Sequence, residues 1–195
     1  MTTPFRYSRP LRLMHALFSL AIVVQMVLTL LMEHPSTRSP MSAQGAMYFQ
    51  WHGWVGLALV AILAANWFYR VAQWKREGQR RLFPWVTRGG LAGLGRELRD
   101  FAGLRWKAIP ADGALAGTIH GLGLLLAAQF AATGALLYFL LWPANVVAPF
   151  AKQLMEVHQF LGAAMWTFLA GHGAMALWHQ FSDDRSLARM FSVKP

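Results

Sequence analysis

The chain has 195 residues, of which 56% are hydrophobic and 13% are charged, and its formal net charge is +10. This composition is typical of a small helical membrane protein and argues against a soluble globular domain. Cysteine is absent, which excludes disulfides, iron–sulfur clusters held by thiolates and a haem attached covalently through a CxxCH motif.

Four segments are long and apolar enough to cross the ~30 Å hydrocarbon core of a bilayer as helices. In chain order they are Leu11–Met32, Tyr48–Tyr69, Leu115–Trp142 and Leu154–Phe181. Runs of this length are too long for barrel strands, and a helix satisfies its own backbone hydrogen bonds in lipid. The sequence therefore predicts an all-α membrane protein, with residues 1–195 forming a single domain built on a four-transmembrane-helix bundle.

The basic residues predict how the chain is oriented in the membrane. All of the 18 Lys and Arg residues except Arg38 and Lys152 lie in the N-terminus, in the C-terminal tail, or between Arg70 and Lys107. Because positively charged loops stay on the cytoplasmic side, both termini and a central loop of about residues 71–113 are predicted to be cytoplasmic. A charge distributed in this way also argues against binding to nucleic acid.

Apolar residues recur at helical spacing within the central loop, with charged residues between them. The apolar positions are Leu91, Leu94, Leu98 and Phe101. This pattern predicts an amphipathic helix. Two interpretations stay open: the helix lies on the cytoplasmic leaflet with its basic groups near anionic lipid headgroups, or it packs as an ordinary surface helix.

Histidines within the apolar segments carry the functional prediction. His52 opens the second span and His158 opens the fourth, and because both spans run inward, both side chains are expected near the outer side of the membrane. A b-type haem held by two histidines needs imidazoles from separate helices at one depth, and this pair provides them. His172 follows His158 by roughly four helical turns, about 21 Å, on nearly the same face. This spacing suits two b-type haems stacked across the membrane.

The ligands of the inner haem are less determined by the sequence. Four histidines are expected toward the cytoplasmic side: His15, His120, His172 and His179. His172 fits best on the fourth helix, because a separation of about 20 Å along the helix keeps two macrocycles apart. Spacing alone does not choose between His15 and His120. His179 is expected near the headgroups, where its imidazole could donate a hydrogen bond to a quinone ring.

Other residues of the spans fit a haem protein without requiring one. Arg12 and Arg70 are candidate partners for haem propionates, although the positive-inside rule explains both. Glycines beside the histidines let a macrocycle or another helix approach; they are Gly53, Gly56, Gly121, Gly123, Gly162, Gly171 and Gly173. Polar residues within the spans either line a cavity or join helices; they are Gln25, Asn66, Gln129 and Thr133. His34, in an outer loop, is expected to be solvated.

These features together resemble the bacterial cytochrome b561 family and the related cytochrome b subunits of hydrogenases and formate dehydrogenases. The motifs that carry the resemblance are Tyr7-Ser8-Arg9, Arg12 ahead of Met14-His15-Ala16-Leu17, Trp51-His52-Gly53 with Gly56, Val157-His158-Gln159, and Gly171-His172-Gly173 with His179. Two features depart from the family pattern: Ala16 stands where a Trp is usual, and the central loop is longer and more basic.

The resemblance implies a cytochrome with four transmembrane helices and two b-type haems that exchanges electrons with ubiquinone or menaquinone. It also implies the axial ligands, which are His15 with His172 at the inner haem iron and His52 with His158 at the outer one. His179 is a candidate for the quinone site at the cytoplasmic end of the fourth helix. His120 stays the alternative inner ligand or a quinone-site residue.

Three functions follow from this resemblance and from the residues. The first is transmembrane electron transfer between quinone and a periplasmic-side donor or acceptor. One version of it is superoxide oxidation coupled to ubiquinone reduction. The outer loops offer few positive charges to attract superoxide, which weakens this version slightly. The second is the membrane anchor cytochrome b subunit of a periplasmic dehydrogenase or hydrogenase. The third, of another class, is a haem-free transporter, which the lack of evident inverted repeats and intramembrane carboxylates disfavours.

Overall fold

The computed structural model describes residues 8–34, 40–73, 82–110, 112–141 and 149–181, and these residues are helical or in short connections. Among the predicted features, Tyr7, Arg38 and Trp142 lie outside this part of the chain. The α-helices of the described residues are α1 Arg9–Leu31, α2 Ala43–Ala72, α3 Arg88–Ala102, α4 Ala114–Leu141 and α5 Pro149–Phe181. Two 3-10 turns, Pro84–Val86 and Trp106–Ala108, flank α3. The predicted all-α fold is confirmed.

The helices α1, α2, α4 and α5 are each long and apolar enough to cross a membrane. Large apolar side chains along them face outward, among them Leu20, Leu30, Phe139 and Phe160. A soluble protein would not expose so much apolar surface, whereas lipid solvates it. The four spans predicted from the sequence are therefore confirmed as helices of the right length and composition.

Two of these helices, α2 and α5, begin five residues earlier than the hydropathy pattern predicts. α2 begins at Ala43 rather than Tyr48 because the hydroxyl of Ser42 accepts a hydrogen bond from the backbone N–H of Gly45, 3.0 Å away, as an N-cap. α5 begins at Pro149, and the restricted φ of a proline suits the first turn of a helix. A cap at α2 and a proline at α5 thus mark boundaries that hydropathy does not indicate.

The chain divides into two compact units. The first unit contains the described parts of Leu13–Asn66 and Leu126–Thr167, and the second contains those of Met1–Arg12, Trp67–Leu125 and Phe168–Pro195. In the first unit, segments of all four long helices meet around buried apolar side chains. These are Ile22, Met26, Leu28, Leu63, Ala127, Leu137, Ala151 and Met165.

In the second unit, the connection before α3 packs directly on α4. Gly121 of α4 lies so close to the Leu82 carbonyl oxygen that a Cβ at this position would overlap it. The ring of Phe83 stacks on Trp67 of α2, with ring centres 6.2 Å apart and planes inclined by 15°. The amphipathic helix predicted in the central loop is present as α3, and the Thr87 hydroxyl caps it by accepting a hydrogen bond from the Gly90 N–H at 3.1 Å.

Candidate functional site

His52 of α2 and His158 of α5 meet in the first unit. Their ring centres are 6.3 Å apart and the ring planes are nearly perpendicular, at 89°. The sequence predicted that these two histidines face one another from separate helices, and the structure brings them together.

The His158 ring is held by the hydroxyl of Thr133, on α4. The Thr133 Oγ1 lies 2.8 Å from His158 Nδ1 and also 2.8 Å from the carbonyl oxygen of Gln129. A hydroxyl has one proton, and a carbonyl oxygen can only accept, so Thr133 donates to Gln129 and accepts from the Nδ1–H of His158. This arrangement fixes the tautomer that leaves the Nε2 lone pair of His158 available to a metal.

Two further neighbours restrict the same ring. Phe130 contacts His158 edge-on, with ring centres 4.9 Å apart and planes at 80°. Gly134, one turn along α4, approaches the ring so closely that a Cβ there would lie 3.1 Å from His158 Cε1. His158 is therefore positioned on several sides by α4.

His52 has a different environment. The Gln25 side chain, on α1, donates from Nε2 to the His52 backbone carbonyl oxygen at 2.9 Å. Within the described part of the chain, two buried side-chain atoms have no hydrogen-bond partner, and they are Nδ1 of His52 and Oε1 of Gln25. Buried polar atoms without a partner are uncommon, and these two mark the surroundings of His52 as a candidate binding site.

A cavity of about 420 Å³ lies beside the two histidines. His52, His158 and Gln25 line it together with small residues such as Gly56 and Gly162. Apart from its chain neighbours and the backbone of its own helix, no described atom lies within 4 Å of the position that a Cβ on Gly162 would take. This volume falls within the ~300–1,000 Å³ range of cofactor and small-molecule sites.

His34 also borders this cavity, which the sequence did not predict. It is exposed, as expected, and follows Glu33 in the connection after α1. The Glu33 carboxylate accepts hydrogen bonds from the Ser42 hydroxyl at 2.6 Å and from the Ser42 backbone N–H at 2.7 Å. These bonds, the side-chain bond first, lower the pKa of Glu33 below its usual value of 4.5. The hydrogen bonds join the end of α1 to the start of α2 and so place His34.

The geometry of the pair fits two ligands of one haem iron. With a nitrogen-to-metal distance of about 2.0–2.1 Å, as for zinc, two imidazoles in line with one metal would have ring centres roughly 6 Å apart, and two imidazoles at an angle would be closer. The His52 and His158 rings have this separation. Two imidazoles from separate helices beside a cavity are the residues that would hold a haem iron here.

The second unit contains another histidine pair, with different geometry. The ring centres of His120 and His172 are 5.1 Å apart, closer than those of His52 and His158. His120 donates from Nδ1 to the Ala116 carbonyl oxygen at 2.7 Å, and His172 stacks on Phe168 with ring planes inclined by 7°. Arg70 is near enough to His120 to interact with it electrostatically.

The remaining predicted site residues are placed as follows. His15 lies in α1 within the first unit, with its Nδ1 3.5 Å from the Ser19 hydroxyl oxygen. Arg12 is half-buried in the first turn of α1, and His179 is half-buried in the last turn of α5. The roles predicted for these three residues stay predictions.

The glycines beside the histidines do not share one function. A Cβ on Gly53 would lie 2.9 Å from the Tyr138 ring, and one on Gly123 would overlap the Phe168 ring, so these two glycines serve helix packing. No described atom would lie within 4 Å of a Cβ on Gly171 or Gly173.

The fold and the site together define a multi-pass helical membrane protein with a paired-histidine site of the kind that holds haem. The model of the prokaryotic cytochrome b561 family matches residues 6–193. No curated protein and no solved structure gives a significant match. Since the family match covers nearly the whole chain, the protein belongs to the prokaryotic cytochrome b561 family. Its members are membrane cytochromes that carry b-type haem and transfer electrons across the membrane.

Proposed function

We propose that this protein transfers electrons between a quinone in the membrane and a donor or acceptor on the periplasmic side, with two b-type haems as its redox groups. The observation that carries the proposal is the 6.3 Å separation of the His52 and His158 ring centres beside a cavity. The distribution of Lys and Arg supports cytoplasmic termini and a cytoplasmic central loop, in a bacterial inner membrane.

His52 and His158 are the proposed axial ligands of the outer haem. Haem supplies reversible one-electron chemistry at its iron, and its potential depends on the axial ligands and on their hydrogen bonds. Thr133 holds the tautomer and orientation of His158. Gln25 would orient His52 as Thr133 orients His158. A His52 that bound iron through Nε2 would carry a proton on Nδ1, and this N–H would need an acceptor. Gln25 Oε1 is an acceptor without a partner.

The inner haem is assigned to His15 and His172, as the family resemblance implies. His120 is the alternative partner of His172, and its Nδ1–H bond to Ala116 leaves Nε2 free to bind iron. The His120 and His172 ring centres are 5.1 Å apart, and this separation does not choose between the two candidates. We assign the propionate contacts to Arg12 and Arg70, and the quinone contact to His179.

Two versions of this function differ in the partner on the periplasmic side. In one, the chain alone oxidises superoxide and reduces ubiquinone. In the other, it is the membrane anchor of a periplasmic dehydrogenase or hydrogenase. Purified protein in liposomes, supplied with superoxide and ubiquinone, separates the two, because only the first version predicts quinone reduction without a second subunit.

The cofactor proposal is tested by the reduced-minus-oxidised visible spectrum and the haem content of the purified protein. We expect two b-type haems per chain, and one after His158→Ala. A His158→Ala protein that keeps two haems would show that the outer ligand assignment is wrong. A wild-type protein without haem, after expression with ample haem, would overturn the proposed electron transfer.

A further inference from the structure

The exposed side of α3 is apolar and basic. Leu91 and Leu98, seven residues apart on one face, are 51% and 47% exposed. Arg88 and Arg99 are also exposed, and they lie about 60–80° around the helix from Leu91. In water this apolar face would be unfavourable, and leucines beside arginines are typical of a helix that lies in a membrane interface.

The packed side of α3 carries its small and acidic residues. Gly93 is buried close to Ala114, and Glu97 and Asp100 are half-buried. Glu97 accepts hydrogen bonds from the backbone N–H groups of Ala114 and Leu115, and Asp100 forms an ion pair with Arg105 at 2.8 Å. Both carboxylates of α3 are thus engaged inside the protein, which leaves the exposed face with positive charge only.

The end of α3 exposes a further leucine at a position that usually requires glycine. Leu104 has a φ of 56° and is 71% exposed. The N–H of Arg105 bonds to the Asp100 carbonyl and that of Leu104 to the Phe101 carbonyl, which is a Schellman ending. A leucine in the left-handed region is strained, because its Cβ approaches the following carbonyl. A strained and exposed leucine is consistent with a contact outside the chain.

Two contacts hold α3 at the ends of membrane spans. Glu97 binds the first backbone N–H groups of α4, where the apolar run of that span begins. Trp106 contacts Phe101 of α3 at 4.7 Å between ring centres and Trp178, near the end of α5, at 6.3 Å. Tryptophans at span ends are typical of the membrane–water interface. These contacts place α3 beside the ends of two membrane-spanning helices, where a membrane–water interface is expected.

We propose that α3 binds an anionic lipid leaflet through an interfacial face consisting of Leu91, Leu98, Phe101 and Leu104. The apolar side chains enter the region between headgroups and acyl chains, and Arg88 and Arg99 contact lipid phosphates. This inference does not depend on the haem assignment.

The test uses single-cysteine variants, because the natural chain has no cysteine. A nitroxide label is placed at Leu91→Cys or Leu98→Cys in the full-length protein, in nanodiscs of phosphatidylcholine with or without phosphatidylglycerol. Collisions with oxygen, which concentrates in lipid, are compared with collisions with a water-soluble nickel chelate. Arg96→Cys is the matched control, since Arg96 is exposed and lies about 140° around the helix from Leu91.

We expect an oxygen-to-nickel ratio several-fold higher at positions 91 and 98 than at position 96 when phosphatidylglycerol is present. Adding Arg88→Gln and Arg99→Gln should abolish the difference between the two lipid compositions. Nickel access at 91 and 98 equal to that at 96 would overturn the proposal. Shielding from both reagents would overturn it in favour of a protein partner, and equal ratios in both lipids would remove the requirement for anionic lipid.

Leu104→Gly separates lipid binding from folding. Glycine relieves the left-handed strain, so the thermal unfolding midpoint should not fall. The label at position 98 should nevertheless become more accessible to nickel, because one apolar contact is lost. A lower thermal unfolding midpoint, with unchanged nickel access to the label at position 98, would show that Leu104 has a folding role and does not belong to the interfacial face.

Discussion

The hydroxyl of Thr133 lies between two helices: it donates to the Gln129 carbonyl on α4 and accepts from Nδ1 of His158 on α5, at 2.8 Å in each case. One small side chain therefore determines which nitrogen of His158 carries the proton. Hydrogen bonds of this kind orient metal ligands and raise their basicity.

Replacing Thr133 by Val should weaken haem binding at the outer site, because the Nδ1 partner of His158 is lost while the side-chain shape is kept. Loss of such a partner typically lowers metal affinity by about 10–100-fold. The midpoint potential of the outer haem should rise, since a less basic imidazole stabilises ferric iron less. Thr167→Val is the matched control, because the Thr167 hydroxyl bonds only to the Ala163 carbonyl among the described contacts. Equal haem retention and equal potentials in the two variants would contradict the proposed role of Thr133.

Replacing Gln25 by Leu should have a similar effect through His52. The variant removes the donor to the His52 carbonyl and the nearby acceptor Oε1. We expect reduced haem retention and a potential change in the same direction as for Thr133→Val, measured by redox titration. Gln129→Leu, at an exposed position of α4, should leave both quantities unchanged. If Gln25→Leu behaves as this control does, Gln25 does not position His52.

Single substitutions distinguish the two candidates for the inner haem. His15→Ala should lower the haem content from two to one per chain, whereas His120→Ala should leave two haems. Pyridine haemochrome assays of purified protein give the count directly. The reverse result would assign His120 as the partner of His172 and would leave His15 with its weak contact to Ser19.

The Glu33–Ser42 contact should make stability depend on pH. The pKa of Glu33 is lower in the folded state than its usual value of 4.5, which applies to the unfolded chain. The stabilisation that the Glu33 carboxylate contributes is therefore fully present above the unfolded pKa and is lost as the pH falls through the folded pKa. The unfolding midpoint of the wild type should therefore fall more steeply under acid than that of Glu33→Gln. Glu156→Gln, at an exposed position of α5, should follow the wild type. Parallel curves for the wild type and Glu33→Gln would refute this prediction.

Glu97 and Asp100 should differ in their effect on stability, although both are half-buried acids of α3. Glu97 accepts two hydrogen bonds from the start of α4, and Glu97→Ala should cost about 1–3 kcal/mol because charged hydrogen bonds and helix caps have this magnitude. Asp100 forms one ion pair with a largely exposed Arg105, so Asp100→Ala should cost less than about 1 kcal/mol. Thermal or denaturant unfolding in detergent measures both. A larger effect for Asp100→Ala would contradict the capping role of Glu97.

The spans were predictable because hydropathy alone identifies segments that need lipid. The ends of the spans were less predictable, since the start of α2 depends on the hydrogen bond that the Ser42 hydroxyl accepts from the Gly45 N–H rather than on an apolar run. The facing of His52 and His158 was predictable from helix order and depth. The hydrogen bond between Thr133 and His158 was not, because it depends on the rotation of α4 and α5 about their axes, which a weak hydrophobic periodicity does not fix.

The position of His34, in the connection between α1 and α2, was also not predictable from the sequence. Nothing in its sequence context indicates a cavity, because its position depends on the contact between Glu33 and Ser42, nine residues apart. An acidic residue after one span and a serine before the next is the signal that could have been found. Its recognition requires knowing that both helices extend far enough for the two side chains to meet.

The bond between Thr133 and His158 joins different helices, so the electronic state of a ligand at position 158 depends on how α4 packs against α5. Bilayers of different thickness change helix tilt at small energetic cost. A lengthening of this 2.8 Å contact weakens the hydrogen bond steeply, as angle and distance depart from the optimum. We therefore expect the potential of the proposed outer haem to change with the thickness of the surrounding membrane.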